Sequence, residues 1–247
     1  MRYAESKIVL IGAGNVGTQL EKALSKRGAR VSLVPARSLA GLDADAGLYI
    51  IAAKDDAIPD IVKRMPDTKG IVVHTAGSVD MAVLAEKFGR CGVFYPLQTF
   101  SKERDLDFSQ VPVFLEASDE DTLMELKNFA SILTNNIHEA SSEKRKYLHL
   151  SAVFACNFVN HLYALAGDIA GKAGYNIEAL LPLINETAAK IRELSPCEAQ
   201  TGPAVRNDKA VMARHETLLT EKERRIYRLL SKSIFELKNG STTFRME

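Results

Sequence analysis

Residues 7–18 read KIVLIGAGNVGT, in which a short apolar run, Ile8-Val9-Leu10-Ile11, meets Gly12-Ala13-Gly14-Asn15-Val16-Gly17 and then a segment of helical periodicity. The order is strand, glycine turn, helix start, which is the order a dinucleotide-binding turn requires. Each glycine has a separate physical task. Gly12 permits the tight turn, Gly14 lets backbone approach a pyrophosphate, and Gly17 lets the helix pack closely on the strand. The helix start then presents unpaired N–H groups, Asn15 and Val16 among the first, and a positive dipole end to phosphate. An ordinary glycine-rich turn between strand and helix is the competing reading of the same residues.

Working outward, β-branched runs alternate with amphipathic segments as far as about residue 140. The pattern predicts strands over 7–11, 30–34, 48–52, 71–74, 92–95, 111–116 and 136–139, and helices over 17–27, 57–65, 79–88 and 120–133. Beyond that point only helical periodicity remains, over 142–172, 177–194, 209–219 and 221–238. The predicted fold class is α/β, a Rossmann-type doubly wound and mostly parallel sheet followed by an all-helical second domain. The boundaries are 1–140 for a nucleotide-binding domain and 141–247 for a helical substrate and dimerisation domain. A chain of 247 residues can supply two such cores. The cleft between them is the expected ligand site.

Composition narrows the partners. Lys and Arg number 32 against 31 Asp and Glu, so no global field favours nucleic acid or an anionic membrane. A small-molecule substrate is expected instead. Cys91, Cys156 and Cys197 are odd in number and have no C-x-x-C spacing, which predicts neither a disulfide framework nor a metal site but reduced, mostly packed thiols in a cytoplasmic protein. The apolar run 150–166 is interrupted by Asn157, Asn160 and His161, so a membrane span is not indicated.

The cofactor follows from a missing charge. Where an NAD site places an acidic residue about 20 positions past the glycines, residues 22–42 hold none. Arg37 and Ser38 fall just past the second predicted strand, where a guanidinium and a hydroxyl suit a 2′-phosphate. The residues therefore favour NADP over NAD, with a solvated loop charge as the alternative for Arg37.

Strand ends supply the rest of the cofactor and substrate candidates. The third ends in Ala52-Ala53-Lys54-Asp55-Asp56, with Ala53 small enough to back a cofactor and Lys54 and Asp55 read as solvated. The fourth ends in His74-Thr75-Ala76-Gly77-Ser78, placing His74 and Thr75 beside the nicotinamide end, although a histidine there serves structure equally well. The fifth ends in Tyr95-Pro96-Leu97-Gln98-Thr99, with Gln98 and Thr99 facing substrate. On the helix 142–172, Lys146, His149, Asn157 and Asn160 fall within an arc of about 80° at 100° per residue. Such a stripe on an apolar helix is either a polar seam or a row of groups that touch ligand. Lys146, His149 and Asn157 are the catalytic candidates, and Asn160 a substrate contact. In 201–208 a Gly-Pro turn presents Arg206, either to an anionic substrate group or to solvent.

Taken in order, GAGNVG (12–17), HTAGS (74–78), YPLQTF (95–100), KYLHLSAVFACNF (146–158) and GPAVRND (202–208) resemble a family of two-domain proteins, a Rossmann-like domain followed by a helical domain of unknown function. That family is similar in plan to pyrroline-5-carboxylate reductase, ketopantoate reductase and 6-phosphogluconate dehydrogenase-like enzymes. The resemblance implies an NADP oxidoreductase. Two residues depart from its pattern: Tyr95 stands where His usually precedes the Pro, and Asn207 where Gly usually follows the Arg. In the distant dehydrogenases a lysine and an asparagine on the first long helix of the second domain move the proton and orient substrate, roles the resemblance offers to Lys146 and Asn157.

The expected activity is hydride transfer from NADPH to a small carbonyl or imine carbon, with Lys146 or His149 as acid. The rival expectation is a sensor or scaffold that binds NADP(H) without chemistry. A homodimer through the helical domain is expected from the same resemblance.

Overall fold

In the computed structural model, which describes residues 7–39 and 41–240, seven strands form one sheet. They are β1 (Lys7–Ile11), β2 (Arg30–Val34), β3 (Leu48–Ile51), β4 (Ile71–His74), β5 (Cys91–Pro96), β6 (Val113–Ala117) and β7 (Ile137–Glu139), in the order β2-β1-β3-β4-β5-β6-β7. Strands β1 to β5 are mutually parallel, whereas β6 pairs antiparallel with β5 and parallel with β7. The reversal has a simple cause. The link from β5 to β6 carries no crossover helix, so the chain returns along the same edge in the opposite sense.

Strands β3 and β4 are buried throughout and β1 nearly so, as expected of a sheet covered on both faces. Alternate residues serve opposite layers. Ile8 and Leu10 pack with Leu20 and Leu24 of α1 (Asn15–Ser25) and with Leu126 and Phe129 of α4 (Glu120–Ala130). Val9 and Ile11 pack with Ile58, Ile61 and Val62 of α2 (Ile58–Arg64) and with Leu84 of α3 (Ala82–Ala85). The helix expected over 79–88 is therefore only one short α-turn with looser turns around it.

The chain divides into two compact units at Asn157 and Phe158, not at 140 and 141. The reason is α5 (Ser142–Ala152), which is bonded into the first unit. The Glu116 carboxylate on β6 accepts from the Ser142 backbone and hydroxyl and pairs with Arg145.

The second unit is helical: α6 (Val159–Gly171), α7 (Leu181–Lys190), α8 (Pro196–Ala199), α9 (Lys209–Thr217) and α10 (Glu221–Asn239). The short α8, not anticipated, starts at a capping box made by Ser195 and Glu198. None of these five helices buries a residue within one chain. Between α5 and α6, residues Val153–Phe158 form π-helical turns.

Candidate functional site

The order of the sheet reverses at β1, which has β2 on one side and β3 on the other. Ligands of open α/β sheets bind at the carboxyl ends of strands at such a point. The glycine turn sits there, and its three glycines are held by different constraints. A Cβ on Gly12, whose φ is +116°, would lie 2.4 Å from the Ala52 carbonyl oxygen, and one on Gly17 would lie 2.0 Å from the Gly12 carbonyl oxygen. Both glycines are thus required by the fold itself. A Cβ on Gly14 would meet only the Ala52 oxygen, at 4.0 Å. Gly14 caps α1 with no side-chain hydrogen bond, and the first turn contains no acidic residue. The protein leaves the first N–H groups of α1 to something other than its own side chains.

Beside this turn lies a cavity of about 470 Å³ lined by residues of the first unit. Asn15 and Val16 come from α1, Ala53 and Asp55 from the end of β3, Thr75 and Gly77 from the end of β4, and Tyr95, Gln98 and Thr99 from the end of β5. His149, Ala152, Cys156 and Asn157 close it from the α5 side. The Tyr95 hydroxyl is 3.1 Å from His149 Nδ1. Gly77 makes that approach feasible, because a Cβ there would lie 2.7 Å from the His149 ring. Burial pushes the Tyr95 phenol up to about 12, with the Asp55 charge adding to the effect and that of Arg145 opposing it. Asp55 is exposed, as its reading as a solvated residue expects, and it also accepts a hydrogen bond from Ser78 and lines the cavity.

Behind the cavity stands a residue that periodicity did not single out. Arg145 is fully buried, donating to the carbonyl oxygens of Ala76 at 3.2 Å and Val79 at 2.5 Å, to Ser142 Oγ at 3.0 Å, and to Glu116. It fixes the turn that follows β4. His74 lies in the same region with no exposed surface, and its Nδ1 accepts the Ala76 N–H at 3.2 Å. Burial, and next the Arg145 charge, push the His74 imidazole down to about 4, so it is neutral at pH 7. With Nδ1 accepting, the proton sits on Nε2, which has no hydrogen-bond partner among the described residues.

The structure brings Asn15, Val16, Ala53, Thr75, Gln98, Thr99, His149 and Asn157 together at one cavity. It does not bring Lys146 or His74 there. The Lys146 ammonium pairs with Asp80 at 3.4 Å on the surface, and His74 holds the backbone of its own turn. The straight helical wheel fails for a physical reason. Residues Val153–Phe158 run in wider π-helical turns, through which the 100° step of an α-helix does not hold, and His149, Ala152, Cys156 and Asn157 line the cavity together. Cys156 is accordingly exposed to the cavity and not packed. Asn160 and Arg206 lie exposed on the second unit. Next to Arg206, Asn207 has φ +52°, the left-handed conformation that explains a glycine preference at that position and that asparagine tolerates. Arg37 and Ser38 occupy the loop after β2, exposed, with the Arg37 carbonyl accepting from Arg64 at 3.3 Å. Among the described residues no group of three or more His, Cys, Asp or Glu side chains could hold a metal ion.

A mostly parallel sheet wound on both faces, a glycine turn at its switch point and a helical second unit define a Rossmann-like protein. Residues 111–234 match the family model described as a domain of unknown function, DUF2520, and the chain belongs to this family. It is similar over 95% of its length, at 43% identity and a TM-score of 0.88, to 99% of a Bacteroides fragilis protein provisionally described as an NADP oxidoreductase. A Thermotoga maritima protein, TM1727, is 20% identical with a TM-score of 0.68, covering 94% of this chain and 98% of its own. The fold also matches a reductive aminase from Aspergillus terreus in complex with NADPH and ethyl levulinate, at 13% identity and a TM-score of 0.71 over 95% of this chain and 94% of that one. No curated protein matches the chain.

Proposed function

We propose that this protein is an NADP(H)-dependent oxidoreductase that reduces a small carbonyl or imine carbon. One observation carries the reading: Gly14, the glycine that the fold does not itself require, lies at the uncapped start of α1, whose next residues line the cavity holding the Tyr95–His149 pair. The residues fit the cofactor. The amides following Gly14 suit a pyrophosphate, Arg37 and Ser38 suit a 2′-phosphate, and Ala53 and Thr75 give a small-residue wall for the nicotinamide end. NADPH supplies a hydride. The protein's part is to position substrate and to hold a proton at Tyr95 Oη, backed by His149 Nδ1, with Asn157, Gln98 and Thr99 as polar contacts. The description of the Bacteroides fragilis relative supports the same cofactor.

The test is a fluorescence titration with NADPH, followed by melting in the presence of NAD, NADH, NADP and NADPH. Selective stabilisation by the phosphorylated pair is expected, since a ligand that binds only the folded state raises its stability. Arg37→Ala is expected to abolish the selectivity. NADPH that binds but is never oxidised with any of a broad set of ketones, aldehydes and imines would favour a sensor.

We also propose a homodimer through the helical unit. Leu183, Leu218 and Leu229 are 65%, 70% and 69% exposed, and helices α6 to α10 bury no residue within one chain. Helices lacking an internal apolar core need another surface, and a second copy is always present at equal concentration. Light scattering should return twice the 27.1 kDa chain mass. A mass of one chain would reject the dimer and leave the cofactor reading untouched.

A further inference from the structure

The cavity residues carry one permanent charge, and it is negative. Of the side chains that line it, only Asp55 is a carboxylate, and none is a lysine or arginine. Two cations of α5 are otherwise engaged. Arg145 is fully buried against Glu116, the Ala76 and Val79 carbonyls and Ser142, and Lys146 pairs with Asp80. Ser78 donates to Asp55 from the end of the β4 turn and so orients the carboxylate.

We infer that the substrate is reduced as a cationic iminium, with Asp55 as the residue that selects it over a ketone, an aldehyde or a keto acid. This inference rests on the reductase reading above. The chemistry separates the two substrate classes. Hydride addition to a neutral carbonyl builds negative charge on oxygen, which a neighbouring carboxylate opposes, whereas addition to an iminium discharges a positive one. In the imine case the Tyr95–His149 pair gives its proton to the imine nitrogen, and Asp55 stabilises the iminium that forms. The new C–H bond would take its electron pair from the hydride that NADPH supplies when bound, the C=N π electrons would become the amine lone pair, and NADP⁺ and a neutral secondary amine would remain. A carboxylate substrate would meet Asp55 with like charge, and no cation in the lining compensates.

The test uses three five-membered rings of similar size: pyrrolidine as its hydrochloride (cationic at pH 7.5), cyclopentanone (neutral) and cyclopentanecarboxylate (anionic). Each is titrated calorimetrically against the full chain at 50 mM salt, with saturating NADPH and again without it, so a failure to bind NADPH still leaves the charge question answered. The expected result is pyrrolidinium bound about tenfold more tightly than either other ring, the scale of one partly screened charge contact. In Asp55→Asn and Asp55→Ser the preference should fall to within about twofold, and 0.5 M salt should weaken it in the wild type. Equal or weaker binding of the cation, a preference that survives both substitutions, or no binding of any ring would overturn the inference. So would a substitution whose sole effect is on the ratio of NADP⁺ to NADPH affinity, because the carboxylate would then serve the oxidised nicotinamide.

Discussion

Arg145 Nε donates to the carbonyl oxygen of Ala76 across 69 residues of sequence, at 3.2 Å and without exposure to solvent. Its other nitrogens reach Glu116, Val79 and Ser142, so one guanidinium ties α5 to β6 and to the turn that borders the cavity. Removing one partner of a buried pair leaves the other charge desolvated and alone. Arg145→Ala and Glu116→Gln should each lower the urea unfolding free energy by about 3–5 kcal/mol, Arg145→Ala more than Glu116→Gln because Glu116 is 17% exposed. A loss under 1 kcal/mol in both would show that the pair does not organise the site.

The glycine turn can be dissected one position at a time. Gly12→Ala and Gly17→Ala force a methyl group against backbone oxygen and should lower the melting temperature by about 5 °C or more without any cofactor. Gly14→Ala, with 4.0 Å of clearance, should melt like the wild type yet lose most of its NADPH affinity by fluorescence titration. A Gly14→Ala protein that binds NADPH normally would remove the pyrophosphate from this turn.

Tyr95→Phe keeps the ring and removes only the hydroxyl that meets His149. Turnover should fall by about a hundredfold, the scale of one positioned proton donor, with NADPH affinity changed less than about twofold. Because burial pushes the phenol up to about 12, the wild-type rate should show no loss from tyrosine ionisation between pH 7 and 10. Unchanged turnover in Tyr95→Phe would move the proton to another group.

His74 makes stability depend on acid. Its folded-state value of about 4 lies below the ordinary 6.5, so between those values the unfolded chain binds a proton that the native state excludes. The contribution is fully present above pH 6.5 and is lost as pH falls toward 4, amounting to roughly 3 kcal/mol at most. Urea unfolding at pH 7 and pH 4.5 should show this slope, and His74→Asn should flatten it while leaving the cavity residues in place. A slope of the same size in His74→Asn would assign it to other groups.

How much was legible beforehand varies by element. The strands β1, β2 and β4 fall on the residues that periodicity names, because short runs dominated by Val, Ile and Leu and bounded by glycine or polar turns have few other uses. The glycine turn was legible for the same local reason. His149 and Asn157 were found by a helical wheel, but Lys146 was selected with them because a wheel records the angle about the axis and not the partner a side chain reaches, here Asp80. Tyr95 and Asp55 were visible only as the ends of their strands, and nothing near either of them in sequence names its partner.

The amino-acid sequence alone determined the βα alternation, the switch to helices after about residue 140, and the phosphate-ready turn at Gly12–Gly17, since each depends on residues within a few positions of one another. Only the tertiary structure decided which groups meet. The Tyr95–His149 bond spans 54 residues and the Arg145–Glu116 pair 29, and both exist because the sheet order sets β4, β5 and β6 side by side beneath α5. Hydrophobic spacing carries no information about that, because a strand's periodicity records which of its faces is buried and not which neighbour buries it.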